Sequence, residues 1–421
     1  QKDFLTQVLG YTTVDGEGQE GIEAAYNKYL RGEDGLELTE TDRDGNEIAF
    51  GTKESIAAKE GNEVVLTIDY VIQYFLEKEM DEAMIINNPK QITGIVMNPQ
   101  TGEILAMANK PDFDLNSPPR DDLAELQKRS RNTAVTDAFE MGSTFKSFTT
   151  AMVLDSGQAT INTMFDASRP LRIGRQTIHD YHGKGRPLSV EEVFVYSSNI
   201  GSAREAMLIG VDGHREFLHR LGVLGRMKTE LPEVATPTEP KTWKQINSVT
   251  IAFGHGVSTT PLQTAVGCAA LMNGGFLIEP TFLPRTAAQA MEVAKRVVSE
   301  NTSSAMRYLY ALTAERGSGR NARVPGYRVG GKTGTAEKVI NGRYSKGHNF
   351  NTFVAAFPID DPEYVVFTIV DDPKPEKPGM GATAASNAGV MAGNIIRRSA
   401  AMLGVEPDFS HENTATLVSY Q

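Results

Sequence analysis

Segments typical of β-strands lie near both ends of this 421-residue chain, and a long helical stretch separates them. The strand candidates share an apolar composition and are bounded by turn residues. They are residues 92–97, 103–108, 328–336, 350–357 and 364–370. Residues 98–102 contain proline and glycine and predict a hairpin between the first two candidates, whereas residues 140–280 show helical periodicity. This order predicts an α+β fold in which both ends of the chain build one sheet and a helical lobe is inserted.

The length predicts one large domain with smaller flanking pieces, because a single core rarely grows to this size. Residues 1–60 are rich in Gly, Asp and Glu and contain one short helix at residues 22–30. We expect this region to be a connector that does not form part of a core. Residues 61–405 are then the large domain, and residues 406–421 are a C-terminal tail.

Two helices and one further strand are predicted near the ends of the large domain. Residues 64–68 are apolar and β-branched and predict a strand. Asp69 follows and is expected to cap a helix over residues 70–84. An apolar-faced helix over residues 384–403 closes the domain.

Charge and cysteine content exclude several classes of protein. The net charge of -11, without a basic stripe, argues against a nucleic-acid partner. Cys268 is the only cysteine and lies in an apolar helical run, so we interpret it as a packing residue. The sequence has no signal peptide and no run of the ~20 apolar residues that a membrane helix needs. Because it begins with Gln1 rather than methionine, we expect a fragment from which an N-terminal anchor could have been removed.

Ser143-Thr-Phe-Lys146 places a hydroxyl group and an amine three residues apart. On a helix that begins near Gly142, both side chains share one face, and Ser143 lies where free N–H groups favour an oxyanion. A serine needs a neighbouring base to attack a carbonyl group. A lysine can serve as that base only if burial or a nearby cation lowers its pKa. Such pairs also occur by chance on surfaces, so this motif alone does not establish a site.

Ser197-Ser-Asn199 follows a helical segment and offers a hydroxyl group and an amide on a turn. Beside a catalytic base, the hydroxyl group could pass a proton to a leaving amine, and the amide could hold a peptide carbonyl group. An ordinary helix N-cap has the same composition. This motif therefore indicates a catalytic site only in combination with the other two motifs.

Lys332-Thr-Gly-Thr335 lies in a glycine-containing strand candidate. Glycine lets a substrate backbone approach closely, and Lys332 supplies a second cation that could lower the pKa of Lys146 and attract a carboxylate. The same segment, from Gly326 to Thr333, also matches the pattern of a phosphate-binding P-loop. A P-loop needs a strand before it and a helix after it, and neither is predicted here.

Two other active-site types lack support in the sequence. His179 and His182 lie in a predicted loop without a third ligand at a readable spacing, so we expect no metal and no cofactor. The sequence has no Gly-x-Ser-x-Gly elbow, which an α/β-hydrolase triad would require.

The three motifs, in this order, resemble the penicillin-binding and serine β-lactamase superfamily. The residues around these motifs are similar to those of class B penicillin-binding proteins, especially the septal type. The segments are RNTAVTDAFEMGSTFKSF at 131–148, AFGHGVSTTPLQ at 252–263 and GGKTGTAE at 330–337. The resemblance covers roughly residues 60–405. It implies an antiparallel five-stranded sheet flanked by helices, with an inserted all-helical lobe. Met141 and Ser147 depart from the family, in which proline is frequent at both positions.

The resemblance implies a catalytic role for three side chains. Ser143 would be the acylated nucleophile, Lys146 the general base and Ser197 the proton shuttle. The backbone N–H groups of Ser143 and Thr335 would form the oxyanion hole.

The resemblance also implies a substrate-binding role for five residues. Asn199 would hold the stem peptide, while Lys332, Thr333 and Thr335 would bind its terminal carboxylate beside Gly334. The expected function is a D,D-transpeptidase that cross-links peptidoglycan stem peptides ending in D-Ala-D-Ala during septal wall synthesis. β-Lactams would inhibit it covalently.

The family implies a periplasmic domain of a single-pass inner-membrane protein, with its anchor and much of an N-terminal pedestal absent from this chain. A membrane glycosyltransferase and divisome proteins would be its partners. Two alternatives share the scaffold: a serine β-lactamase, for which Glu230, Glu233 and Glu239 are weak candidates for the deacylating base, and a non-catalytic β-lactam sensor.

Overall fold

The computed structural model describes residues 2–409, with the backbone alone for residues 49–53. The strands are β1 (Leu36–Thr41), β2 (Glu47–Ile56), β3 (Gln91–Met97), β4 (Ile104–Lys110), β5 (Met164–Phe165), β6 (Leu171–Ile173), β7 (Gln176–Ile178), β8 (Leu188–Ser189), β9 (Phe276–Leu277), β10 (Lys295–Arg296), β11 (Gly330–Ile340), β12 (Arg343–Phe357) and β13 (Tyr364–Asp371).

The helices are α1 (Thr6–Leu9), α2 (Gly21–Ala25), α3 (Asn27–Leu30), α4 (Tyr70–Asn87), α5 (Leu123–Ser130), α6 (Thr133–Thr136), α7 (Lys146–Asp155), α8 (Val190–Val195), α9 (Asn199–Ile209), α10 (Val211–Arg220), α11 (Gln245–Ile251), α12 (Pro261–Met272), α13 (Ala287–Val293), α14 (Glu300–Arg316) and α15 (Ala388–Ser399). Short 3-10 turns occur at Gly142–Phe145 and Arg320–Ala322. Within residues 2–409, no helix is both long and apolar enough to cross a membrane.

One antiparallel sheet of five strands forms the centre of the fold, in the order β11-β12-β13-β3-β4. Strand β13 pairs with β3, and Phe367 lies opposite Ile95, so the late strands join the early hairpin. Each neighbouring pair of strands is antiparallel. The prediction of an α+β fold with one five-stranded antiparallel sheet is therefore confirmed.

Helices cover both faces of this sheet because its strands are apolar at successive positions. On one face, Phe353 of β12 packs in a cluster with Leu76 of α4 and Ile395 of α15. On the other face, Val354 packs in a cluster with Leu309 of α14. Each such buried side chain contributes about 1.5–3 kcal/mol. The sheet is thereby fixed as a rigid platform whose edge strand, β11, carries the third motif.

The lobe inserted between β4 and β11 is mainly helical, as predicted. It also contains the short two-stranded pairs β5–β8, β6–β7 and β9–β10, which the sequence prediction of an all-helical lobe did not include. Strands of two or three residues are too short to produce a readable alternation of apolar and polar residues.

The predicted strand at residues 64–68 is wrong. The segment makes isolated backbone hydrogen bonds, from Thr67 N–H to Phe282 O at 2.8 Å and from Asp69 N–H to Leu105 O at 2.8 Å, without a continuous ladder. Its apolar residues serve the core, because Leu66 and Ile68 pack against the main cluster. Asp69 caps α4 as predicted by accepting two backbone N–H groups.

The prediction that residues 1–60 lie outside any core is wrong for their first part. Leu5, Val8 and Ile22 are buried in the main apolar cluster of the large domain. The Leu5 N–H also donates to Glu77 of α4 at 3.1 Å. By contrast, Leu36 on β1 is exposed. The predicted helix at residues 22–30 is divided into α2 and α3.

The closing helix α15 is shorter than the predicted span of residues 384–403. Asn387 begins it by accepting the N–H of Ala388. The predicted tail at residues 406–421 lies largely outside the described residues.

Candidate active site

Ser143 lies in the 3-10 turn that precedes α7, so the predicted helix does begin at Gly142. Gly142 has a φ of 59°, which favours glycine. A Cβ atom on Gly142 would lie 3.1 Å from the Cβ of Ala336 and 3.2 Å from Thr335 O. The turn with the half-buried Ser143 therefore lies directly against β11 at the third motif.

Lys146 is 1% exposed at the first position of α7. Its Nζ donates to Ser197 O at 2.7 Å and to Ser197 Oγ at 2.9 Å. Burial, and next the cation of Lys332, hold the pKa of Lys146 well below its ordinary value, while Asp180 and Glu205 oppose this shift. The free amine that a lysine base requires is therefore favoured.

Ser197 connects the two lysines. It lies between α8 and α9 with a φ of 57°, a left-handed conformation that is uncommon outside glycine. Its Oγ lies 2.9 Å from Lys146 Nζ and 3.1 Å from Lys332 Nζ. A hydroxyl group can accept one hydrogen bond while it donates another, so this atom can pass a proton between neighbouring groups.

Lys332 is fully buried on β11. Its Nζ also donates to Thr333 O at 3.2 Å and lies 5.7 Å from the ring centroid of Phe194. Burial lowers the pKa of Lys332 to about 7. Near neutral pH this group can therefore change its charge, and a bound carboxylate would favour the cation.

Asn199 begins α9, and the preceding residue caps that helix. The hydroxyl group of Ser198 accepts the Gly201 N–H and donates to Asp180 Oδ2 at 2.6 Å. Asn199 Nδ2 donates to His179 O at 3.2 Å. The second motif is thus tied to the loop that contains His179 and Asp180.

Asp180 is a positioning residue that the sequence did not reveal. Its Oδ1 accepts the Ile200 N–H at 2.9 Å while its Oδ2 holds Ser198. A lone aspartate in a loop gives no signal of its own, and only the fold brings it to the start of α9.

The threonines of the third motif differ in exposure. Thr335 is exposed, and its Oγ1 accepts the Ala384 N–H at 3.4 Å. Thr333 is almost buried, and its hydroxyl group bonds to Ser318, which follows α14, at 2.5 Å. Ser318 is a second contact that the sequence did not indicate. Of the two hydroxyl groups predicted to bind a carboxylate, that of Thr335 is the more accessible.

Gly334 lies where no side chain fits. A Cβ atom there would lie 2.5 Å from Thr144 Oγ1, 2.5 Å from Thr352 Oγ1 and 2.8 Å from Met141 O. The two threonine hydroxyl groups also bond to each other at 2.5 Å, which joins the nucleophile turn to the sheet.

We therefore expect Gly334→Ala to push the nucleophile turn away from β11. The variant should lose about 1–3 kcal/mol of unfolding free energy, as overpacked sites do, and should be acylated about tenfold more slowly, since misplacement lowers rates steeply. Urea titration and a stopped-flow acylation assay measure these effects. Gly381→Ala is the matched control, because its Cβ atom would only make an ordinary contact of 3.6 Å. Equal behaviour of the two variants would contradict this expectation.

Glu205 is a buried carboxyl group that sequence reasoning also missed. It lies on α9 and is fully buried, and neither of its carboxyl oxygens has a hydrogen-bond partner among the described residues. Burial raises its pKa to about 8, against the influence of Lys146. It therefore adds little negative charge near Lys146 at neutral pH.

The other sequence motifs take structural roles. Lys332 and Thr333 lie within a strand, so the strand–loop–helix geometry of a P-loop is not present. Cys268 is fully buried on α12, and burial raises the pKa of its thiol to about 12, in agreement with a packing role. His179 contributes its backbone carbonyl group. No cluster of three potential metal ligands occurs within residues 2–409.

A family model described as the penicillin-binding protein transpeptidase domain matches residues 92–396. The chain belongs to this transpeptidase family. A second model, the penicillin-binding protein dimerisation domain, matches residues 1–66. The resemblance inferred from the three motifs is therefore confirmed for the family.

Two curated proteins are similar to this chain over most of its length. The probable peptidoglycan D,D-transpeptidase FtsI of Caulobacter vibrioides is 39% identical over 360 residues, which cover 83% of this chain and 60% of that protein. Stage V sporulation protein D of Bacillus subtilis is 33% identical over 419 residues, with 96% and 64% covered. The chain thus spans about three fifths of the length of these two relatives.

Solved structures with the same transpeptidase fold include penicillin-binding protein 3 from two organisms. The apo transpeptidase domain from Burkholderia pseudomallei has a TM-score of 0.72 at 30% identity and covers 82% of this chain and 98% of that one. The Mycobacterium tuberculosis protein complexed with aztreonam has a TM-score of 0.82 at 26% identity, with 97% and 90% covered.

Proposed function

We propose that this chain is the catalytic part of a peptidoglycan D,D-transpeptidase. The observation that carries the proposal is the position of Ser197 Oγ, within hydrogen-bond distance of both Lys146 and Lys332. An acylation site needs a nucleophile and a neighbouring base. Ser143, half-buried at the start of a helix, supplies the hydroxyl nucleophile, and the two buried amines that contact Ser197 Oγ supply the base and a second cation.

In this mechanism, Ser143 Oγ attacks the carbonyl carbon of the penultimate D-alanine, and Lys146 takes the Ser143 proton. The N–H groups of Ser143 and Thr335 stabilise the oxyanion of the tetrahedral intermediate. The C–N bond then breaks, and Lys146 returns the proton through Ser197 to the leaving amine. An ester on Ser143 remains, and an amine of a second stem peptide attacks it and releases the serine.

The substrate-binding roles follow from charge and exposure. Lys332 and the exposed hydroxyl group of Thr335 would bind the terminal carboxylate, with Thr333 beside them and Gly334 allowing close approach. Asn199 would hold the peptide backbone of the stem. A β-lactam fits the same site, but its broken C–N bond leaves no departing group, so the adduct persists.

The biological setting is also a proposal. The relative named FtsI supports a role in septal wall synthesis. The relative named stage V sporulation protein D supports a role in sporulation as the alternative. We infer an extracytoplasmic domain of a membrane-anchored protein. A membrane glycosyltransferase and divisome proteins would be its partners. The chain would divide into a pedestal remnant at residues 1–60, a transpeptidase domain at residues 61–405 and a tail at residues 406–421.

A β-lactamase is the competing reading, and it needs a carboxylate to activate the deacylating water. The three predicted candidates take structural contacts instead. Glu230 accepts the Phe282 N–H, Glu233 accepts the Gly21 N–H, and Glu239 pairs with Arg215 and His219. These contacts favour a transpeptidase whose acyl-enzyme is long-lived.

Intact-mass spectrometry with benzylpenicillin tests the function. One whole inhibitor per chain should add covalently, and peptide mapping should locate it on the segment that contains Ser143. The adduct should persist for hours, whereas turnover within seconds would show a hydrolase. An adduct on another segment, or none, would contradict the proposal. Cross-linking of a lipid-linked substrate in the presence of a partner glycosyltransferase separates an enzyme from a sensor.

A further inference from the structure

A histidine–carboxylate pair lies beside the nucleophile turn, and the proposed acylation step does not use it. Glu140 precedes Ser143 by three residues. His255 follows Gly254, whose backbone lies so close to Gly142 that a Cβ atom would be 2.1 Å from Gly142 O. The pair is thus joined by backbone contact to the turn that carries Ser143.

The carboxylate of Glu140 is held on three sides. Its Oε1 accepts the Gly256 N–H at 3.0 Å, and its Oε2 accepts the Tyr344 hydroxyl group at 3.0 Å and lies 3.6 Å from His255 Nδ1. Burial alone would raise the pKa of Glu140, but the His255 ring, the Gly256 N–H and the Tyr344 hydroxyl group lower it below its ordinary value. Glu140 is therefore a fixed anion at neutral pH.

This anion orients the imidazole ring of His255. The carboxylate lies 3.6 Å from Nδ1, an ion-pair distance, and its charge favours the tautomer with the proton on that atom. The Nε2 atom has no hydrogen-bond partner within residues 2–409, and the side chain is 28% exposed. Its lone pair is therefore available to accept a proton.

The second half of the transpeptidase reaction requires such an acceptor. An alkyl amine is an ammonium ion at neutral pH, and it must lose one proton before it can attack and a second as the amide forms. The path through Ser197 and Lys146 takes the second proton and returns it to Ser143 Oγ. The first proton needs another base.

We propose that His255, oriented by Glu140, binds the acceptor ammonium group of the second stem peptide and takes its first proton. This inference rests on the proposed transpeptidase function. The step is a balanced transfer from the ammonium group to His255 Nε2, which leaves a free amine and an imidazolium ion beside the Glu140 carboxylate. The amine then attacks the Ser143 ester, and solvent removes the proton from His255 afterwards.

The test separates the two half-reactions in wild type and His255→Gln. Benzylpenicillin measures acylation, and a D-alanyl thioester donor with D-alanine as the acceptor amine measures transfer against hydrolysis. We expect transfer to fall at least about tenfold more than acylation, within the range for a proton-transfer group. The deficit should shrink as the pH approaches the pKa of the acceptor amine, because free amine then becomes abundant.

His348→Gln is the matched control, because His348 on β12 forms a similar histidine–carboxylate pair, with Asp372. It should retain the wild-type ratio of transfer to acylation. Glu140→Gln should give a smaller loss of transfer with the same pH dependence. Equal losses of acylation and transfer in His255→Gln, or a deficit that does not change with pH, would overturn the inference. Absence of acylation in the wild type would instead refute the proposed function.

Discussion

Replacing Lys146 with methionine should lower the rate constant for acylation by benzylpenicillin about 10³–10⁴-fold, the upper range for loss of a general base. Methionine is apolar and similar in length, so it suits a site that is 1% exposed. It removes the amine that bonds to Ser197. Stopped-flow measurement of adduct formation gives the rate constant directly.

The control for this variant is Lys128→Met, which replaces an exposed lysine on α5. It should be acylated at the wild-type rate, while Ser143→Ala sets the background without a nucleophile. Circular dichroism confirms that each variant is folded. A loss below about tenfold in Lys146→Met would be too small for a general base and would assign proton removal to another group.

The sequence predicted structure best at positions where one physical requirement determines the residue type, such as burial in a strand or capping of a helix. Apolar strand segments must be buried, and this locates β3, β4, β13 and the buried half of β12 at residues 350–357. The exposed first half of β12, from Arg343, was missed because its residues are polar. Asp69 before an apolar helical pattern is a cap, and the structure shows it as one. The spacing of Ser143 and Lys146 implies that both lie on one face of a helix. The number of residues between the three motifs does not, however, predict how close their side chains lie in the folded protein.

What the sequence could not provide are contacts that depend on the assembled fold. Asp180, Glu205 and Ser318 reach the site from a loop, a helix interior and a helix end. None belongs to a pattern with a period or a fixed spacing. The apolar segment at residues 64–68 has strand composition and lies beside the edge strand β4, yet it forms only isolated backbone hydrogen bonds there. Leu66 and Ile68 pack into the core instead, so packing overrides the strand propensity.

The burial of Lys332 has an energetic cost. Lys332 is fully buried, and its pKa falls from an ordinary value of 10.5 to about 7. Between these values the unfolded chain binds more protons than the folded chain, so this lysine destabilises the fold. The full penalty applies below about pH 7 and disappears as the pH rises towards 10.5. The carboxylate-binding role that we propose for Lys332 thus costs stability.

Lys332→Met should therefore change stability and function in opposite directions. At pH 7 its unfolding free energy should exceed that of the wild type by about 1–2 kcal/mol, as for other substitutions at strained functional sites, and this gain should shrink as the pH rises. Acylation by benzylpenicillin, which carries a carboxylate, should fall about 10²-fold, the value of a charge-assisted hydrogen bond of roughly 3 kcal/mol. Urea titrations from pH 6 to 10 and stopped-flow acylation measure both effects. A gain in stability that does not vary with pH would show that better packing, rather than the buried charge, accounts for it.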